Sequence, residues 1–98
     1  MTNGGSMENR SMDADRLIEE LSLQIKISAN GTIRYYNSQG QLHRKYGPAI
    51  IFATGHQEWY LNGKQHRDGA AAVILPSGVG TLWYNHGRLI QSGSETKQ

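Results

Sequence analysis

The chain is poor in several features that hold other small proteins together, since it has no cysteine, only 37% apolar residues and no long apolar run. The lack of cysteine excludes a disulfide framework and a thiolate metal site, so packing and backbone pairing must hold the fold. No segment approaches the ~18 apolar residues of a membrane span, and the N-terminus lacks the apolar core of a secretion signal. We therefore expect a soluble, cytoplasmic protein.

A strong excess of one charge is also missing, because ten Lys and Arg oppose eight Asp and Glu and leave a formal net charge of +2. This balance is unlike that of a dedicated nucleic-acid binder. A length of 98 residues fits one domain, and 12 glycines indicate many turns between short elements. The composition favours a β-rich domain over a helical bundle.

One short helix is predicted near the N-terminus, over residues 11–22. Leu17, Ile18 and Leu21 recur there at helical spacing among charged residues. An isolated helix of this length is marginal in water, so we expect its apolar side to pack on the sheet or on a partner. Residues 1–10 and 93–98 carry no such pattern and are predicted to be disordered tails.

The strongest signal is a repeated motif within residues 23–92. Aromatic pairs lie 24 residues apart, and each is followed by a glycine within three or four residues. His-Arg pairs follow the first two of those glycines, and the third unit has none. We predict a mainly β fold of the α+β type, an antiparallel meander of about six to eight short strands. Its units are residues 30–54, 55–77 and 78–92, and its pairs are Tyr35-Tyr36, Trp59-Tyr60 and Trp83-Tyr84.

Alternation along the strands separates the two members of each aromatic pair. The side that carries Tyr35, Trp59 and Trp83 is predicted to form the core. The opposite side is predicted to bind a partner, because tyrosine and arginine are enriched at the centre of protein interfaces. The residues predicted to bind that partner are Arg34, Tyr36, Glu58, Tyr60 and Tyr84, with Arg44 and Arg67 as adjacent contacts.

No catalytic, cofactor or metal site is predicted. His66, Arg67 and Asp68 supply acid–base residue types, but no nucleophile accompanies them, and a structural link between units explains them better. The histidines lack the spacing of a local ligand pair. The Asn30-Gly31 and Asn62-Gly63 pairs are predicted to form type I′ hairpin turns.

Residues 59–71, Trp-Tyr-Leu-Asn-Gly-Lys-Gln-His-Arg-Asp-Gly-Ala-Ala, resemble a hairpin repeat of small bacterial and phage-borne proteins and, more distantly, the MORN repeats. The resemblance covers residues 30–90 and implies hairpins that stack into an elongated, twisted sheet. It also implies a phage-type accessory protein in the host cytoplasm that binds and inhibits or modulates a host enzyme, such as a nuclease, replication or defence complex. The alternative is a nucleic-acid-binding module that uses basic residues and exposed aromatic rings.

Overall fold

The computed structural model describes residues 14–76 and 80–93. Most of the chain assigned to the two predicted tails, and the first residues of the predicted helix, lie outside these ranges. Gly93, which the sequence places in the C-terminal tail, is instead the last residue of a strand and pairs with Thr81.

The described residues form one helix, α1 (residues 14–21), followed by nine strands. Seven strands make one antiparallel sheet in the order β1-β2-β3-β4-β7-β8-β9, and β5 and β6 pair as a separate hairpin. The predicted fold class, a short N-terminal helix and an antiparallel β-meander, is confirmed. The strands are β1 (Gln24–Ile27), β2 (Ile33–Tyr36), β3 (Ile50–Ile51), β4 (Gln57–Glu58), β5 (Tyr60–Leu61), β6 (Lys64–Gln65), β7 (Val73–Ile74), β8 (Thr81–Asn85) and β9 (Arg88–Gly93).

The turns use two geometries. Asn62 and Gly63 have φ values of 49° and 85°, as the predicted type I′ turn requires. The Asn30-Gly31 turn is different, because only Gly31 has a positive φ, at 92°. There the Gly31 amide donates to Ser28 O at 2.9 Å, so the loop is a three-residue turn that ends in a left-handed glycine.

The strand register sorts the side chains as the alternation predicted. Ile33, Gln57 and Thr81 fall in one cross-strand row, and Arg34 and Glu58 fall in the next. The next cross-strand row carries the aromatic rings, and we call it the aromatic row. Large and small side chains alternate along it: Tyr35, Ala49, Trp59, Ala72 and Trp83.

The buried core is smaller than the sequence suggests. The rings of the aromatic row, predicted to be core, are only half-buried. In the described part of the chain the alanines that lie between these rings are enclosed instead. The buried apolar residues are Ala49, Ile50, Ala71, Ala72 and Val73.

The hairpins join each unit to the next through a second set of backbone hydrogen bonds. The Arg44 amide donates to Tyr60 O at 3.0 Å, and the Gly63 amide donates to Leu42 O at 2.8 Å. Arg67 repeats the pattern one unit later, because its amide donates to Tyr84 O. The His-Arg segments therefore lie at the joints between units. None of the helical residues that the structure describes belongs to a segment long and apolar enough to cross a bilayer.

Candidate functional site

In the first His-Arg unit, His43-Arg44, the guanidinium of Arg44 contacts an aromatic ring, a backbone carbonyl and a carboxylate. Arg44 Cζ lies 4.0 Å from the centroid of the Tyr35 ring, and Nη1 donates to Pro48 O at 3.3 Å. Nε and Nη2 both donate to the Glu20 carboxylate of α1, at 3.2 and 2.9 Å. The outer edge of the guanidinium thus binds one carboxylate through two nitrogens, the geometry that arginine favours.

The imidazole of His43 links three parts of the chain. Its Nδ1 accepts a hydrogen bond from the Asn62 amide at 2.9 Å, across the joint with the next unit. An Nδ1 that accepts from an amide is unprotonated, so in the neutral ring Nε2 carries the hydrogen. Nε2 lies 2.9 Å from Glu19 Oε2 and donates to that carboxylate. This tautomer satisfies both ring nitrogens without a positive charge.

The second unit, His66-Arg67, repeats the arginine geometry without the carboxylate. Arg67 Cζ lies 3.8 Å from the Trp59 ring centroid, and Nη1 donates to Ala71 O at 3.2 Å. Within residues 14–76 and 80–93, Arg67 forms no salt bridge. Its partial burial lowers the pKa of the Arg67 guanidinium, because the charged form loses hydration.

The imidazole of His66 again joins one unit to the next. Its Nδ1 accepts from the His86 amide at 3.1 Å, and its Nε2 lies 2.9 Å from Asp68 Oδ1. The two imidazoles of His66 and His86 also stack, with centroids 4.0 Å apart. His66 is 7% exposed while Asp68 is 92% exposed, so the carboxylate contacts His66 from the surface. The predicted structural role of the His-Arg segments agrees with these contacts.

Helix α1 contacts the sheet with its charged side. Arg16 lies over the Tyr46 ring at 5.6 Å, and Glu19 and Glu20 bind the first His-Arg unit. These three positions share one side of the helix because they are spaced by three and four residues.

The apolar side of α1 points away from the sheet. Leu17, Ile18 and Leu21 are 57%, 66% and 74% exposed. Of the two predicted positions for this side, packing on the sheet is therefore wrong, because polar contacts hold the helix. Packing on a partner stays a prediction.

No protein-family model, curated protein or solved structure matches this chain. The resemblance to MORN-like repeats therefore stays a prediction.

A groove of about 350 Å³ opens beside the second His-Arg unit. It lies between the two His-Arg units and brings three cationic side chains together with one carboxylate and several apolar groups. The residues that line it are Arg44, Lys45, Tyr46, Trp59, Leu61, His66, Arg67 and Asp68.

Glu58 organises the other side of the sheet. Its Oε1 accepts from the Tyr60 hydroxyl at 2.9 Å and from Gln65 Nε2 at 3.4 Å, and its Oε2 lies 2.8 Å from His56 Nε2. Burial, reinforced by the Glu58 carboxylate, raises the pKa of Tyr60 to about 12. Two residues of the predicted partner surface therefore bind each other.

The structure divides the predicted partner surface between two sides of the sheet. Alternation and register place the five main residues on one side, all half-buried. Arg44 and Arg67 lie on the opposite side, over the rings of the aromatic row. No local sequence signal marks Glu19 or Glu20, because their partners are 24 residues away in the chain. No group of three potential metal ligands occurs in the described part of the chain.

Proposed function

We propose that this chain is a protein-binding module and that its principal contact is the outward, apolar side of α1. The observation that supports this is the orientation of the helix. Burying Leu17, Ile18 and Leu21 would stabilise the chain by roughly 1.5 to 3 kcal/mol each, yet all three face outward. Large apolar side chains exposed together mark interaction surfaces.

The partner surface continues onto the first strand. Ile25 and Ile27 of β1 are 54% and 68% exposed, and the register puts them on the same side of the sheet as Tyr35. Among the described residues β1 pairs only with β2, so its outer edge offers free backbone groups. A partner that covers α1 reaches these isoleucines and can extend the sheet by strand addition.

The charge of α1 favours a protein over a membrane or a nucleic acid. Helices that lie on anionic membranes are rich in Lys and Arg on the polar side. Here the described helix carries Asp15, Glu19 and Glu20 against Arg16 alone. An apolar groove on another protein is the complementary surface.

The nucleic-acid alternative draws less support from the cations. Arg44 is neutralised by Glu20, and Lys26 lies 5.4 Å from the centroid of the Tyr36 ring, where a base would have to stack. Inhibition of a host enzyme is the form of protein binding that we favour, because a chain of this size acts most simply by occupying a surface of a larger protein. The tyrosine side of the sheet is then a second contact surface.

The test begins with photo-crosslinking. A photoreactive residue in place of Leu21 should capture a protein in host cells, whereas the same residue at the exposed position Lys64, on the hairpin β5–β6, should not. The captured protein is then purified and titrated with Ile18→Ser and Leu21→Ser by calorimetry. We expect binding to weaken at least tenfold while the melting temperature stays unchanged, because exposed positions alter stability little.

Two outcomes contradict the proposal. One is unchanged affinity in both serine variants. The other is self-association of the purified chain through α1, seen by analytical ultracentrifugation and abolished by Leu21→Ser, which would make a second copy the occupant of this surface.

A further inference from the structure

Among the described residues, the arginine of the first His-Arg unit binds a carboxylate and the arginine of the second binds none. We propose that Arg67, in the groove over Trp59, binds a carboxylate from an acidic segment of the partner protein. This deepens the proposed function and rests on it for the source of the ligand. Glu20 on Arg44 is the internal example of the same contact.

The hydrogen-bond donors of the two arginines can be compared atom by atom. Both stack on a ring of the aromatic row, and both use Nη1 for a carbonyl four residues ahead, Pro48 O or Ala71 O. Arg44 then gives Nε and Nη2 to Glu20. Among the described residues no hydrogen bond is made by Nε or Nη2 of Arg67. The stacking and the Nη1 bond fix the guanidinium plane, so this edge is already oriented for a carboxylate.

The contact that Glu19 makes in the first unit is already made in the second, because Asp68 binds His66 Nε2. The groove therefore needs one carboxylate rather than two. Its charge favours that ligand, since Lys45 and Arg67 line the groove against Asp68, while Arg44 is already paired with Glu20. Partial burial of Arg67 already weakens its hydration, so a carboxylate has less water to displace.

A protein carboxylate suits the groove better than a nucleic-acid phosphate. Leu61, Trp59 and Tyr46 supply apolar wall for the aliphatic part of a Glu side chain. Asp68 is almost fully exposed beside the groove and would repel a continuous phosphate backbone, whereas a single side chain can avoid it. An acidic residue on a partner helix reproduces what Glu20 does on α1.

The experiment titrates the whole ¹⁵N-labelled chain with an acetylated, amidated peptide of residues 13–23, which contains the Glu19-Glu20 pair. The readout is the Nε–Hε NMR resonance of each arginine. The Arg67 resonance should move and that of Arg44 should not, because Glu20 already occupies Arg44. A matched peptide with Glu20→Gln keeps the apolar side and should bind about tenfold more weakly, the difference between a charged and a neutral acceptor.

Arg67→Lys keeps the charge but removes the edge of two nitrogens that faces the carboxylate. It should weaken binding of the unmodified peptide about tenfold, as the Glu20→Gln change in the peptide does. If that variant unfolds, the affinities of the two peptides for the unmodified chain still test whether Arg67 binds a carboxylate. The proposal is overturned if the Arg67 resonance does not move, if both peptides bind equally, or if a single-stranded oligonucleotide moves it and the peptide does not.

The titration is independent of the apolar side of α1. The chain with Leu21→Ser should bind the peptide as well as the unmodified chain does. Loss of partner binding in that variant with an intact peptide titration supports both proposals. A failed titration with intact partner binding overturns only the Arg67 site.

Discussion

In the first His-Arg unit, α1 supplies the carboxylates that bind the histidine and the arginine. In the second, the carboxylate on the histidine is that of Asp68, two residues further along the chain, and the arginine binds no carboxylate among the described residues. The backbone contacts of the two units are the same. Each imidazole accepts a turn amide from the following unit, and each arginine stacks on a ring and binds a carbonyl four residues ahead. The joint between units is thus the constant part, and the carboxylate is the variable part.

The residue after each His-Arg pair accounts for the difference. It is Asp68 in the second unit and Lys45 in the first, so only the second can supply its own carboxylate. Glu19 fills the missing contact in the first unit. Helix α1 thus replaces a side chain that the first unit lacks, and this explains why the charged side of the helix faces the sheet.

The largest loss of stability is expected when the ring beneath Arg67 is removed. Trp59 lies in the central unit and packs between Ala49 and Ala72 in the aromatic row. Trp59→Ala should lower the free energy of unfolding by about 2 to 3 kcal/mol, less than the roughly 3 to 5 kcal/mol of a fully buried ring, because Trp59 is half-buried. Denaturant unfolding followed by circular dichroism measures it.

Trp59→Phe is the matched control. Trp59 Nε1 is buried and has no hydrogen-bond partner among the described residues, so the indole N–H contributes no bond that phenylalanine would lose. We expect the phenylalanine variant to retain most of the stability. A Trp59→Ala protein as stable as the unmodified chain would show that the two units do not depend on their rings.

A smaller effect is expected from Glu20→Gln, which removes the carboxylate charge that pairs with Arg44 and makes the first unit resemble the second. The pair is partly exposed, so the loss of stability should be about 1 kcal/mol. The local effect should be clearer: amide hydrogens of Ser22 and Leu23, which bond to carbonyls of α1, should exchange faster. Hydrogen-exchange NMR measures this.

Asp15→Asn serves as the control for charge alone, since Asp15 forms no salt bridge in the described part of the chain. It should leave the exchange rates of Ser22 and Leu23 unchanged. Equal protection in the Glu20→Gln chain would mean that the Arg44 contact does not hold the helix, and the distinction between the two units would lose its basis.

The smallest effect concerns the tyrosine side of the sheet, where the units also differ. Tyr60 bonds to Glu58, whereas Tyr36, its counterpart one unit earlier, lies near Lys26. Burial and Glu58 raise the pKa of Tyr60 from 10.0 to about 12. Because the pKa of Tyr60 is higher in the folded state, the neutral hydroxyl contributes to the stability of the fold. This stabilisation is fully present below about pH 10 and is lost as the pH rises through about 12.

Melting temperatures of the unmodified chain and of Tyr60→Phe should therefore converge as the pH rises from about 10 to about 12. Glu58→Gln provides the comparison and should reduce the convergence, because it removes the carboxylate that reinforces the raised pKa of Tyr60. A constant difference between the unmodified and Tyr60→Phe proteins over that range would contradict the raised pKa that burial and Glu58 give Tyr60.

Much of the sheet could be predicted from local patterns. The 24-residue spacing of the aromatic pairs and the alternation along strands gave the meander and its two sides, and Asn62-Gly63 gave a type I′ turn. Such features depend on neighbours in the chain, so the sequence displays them directly.

Contacts between distant residues could not be predicted in the same way. The sequence pattern predicts that the apolar side of α1 packs on the sheet or on a partner, and the sheet, with its alanines already enclosed, offers it little apolar surface. The binding of Glu20 to Arg44 depends on where the helix lies, which no local pattern encodes. The same holds for the placement of Arg44 and Arg67 opposite the tyrosines.

The third unit lacks the His-Arg pair of the earlier units. Ile90 and Gln91 stand where those units have histidine and arginine, and both are exposed. An alkyl side chain cannot accept an amide hydrogen from a further turn, so Ile90 cannot make the imidazole contact that links each of the first two units to its successor. Inserting a copy of the second unit ahead of β8 would preserve every joint, whereas adding one after β9 would not.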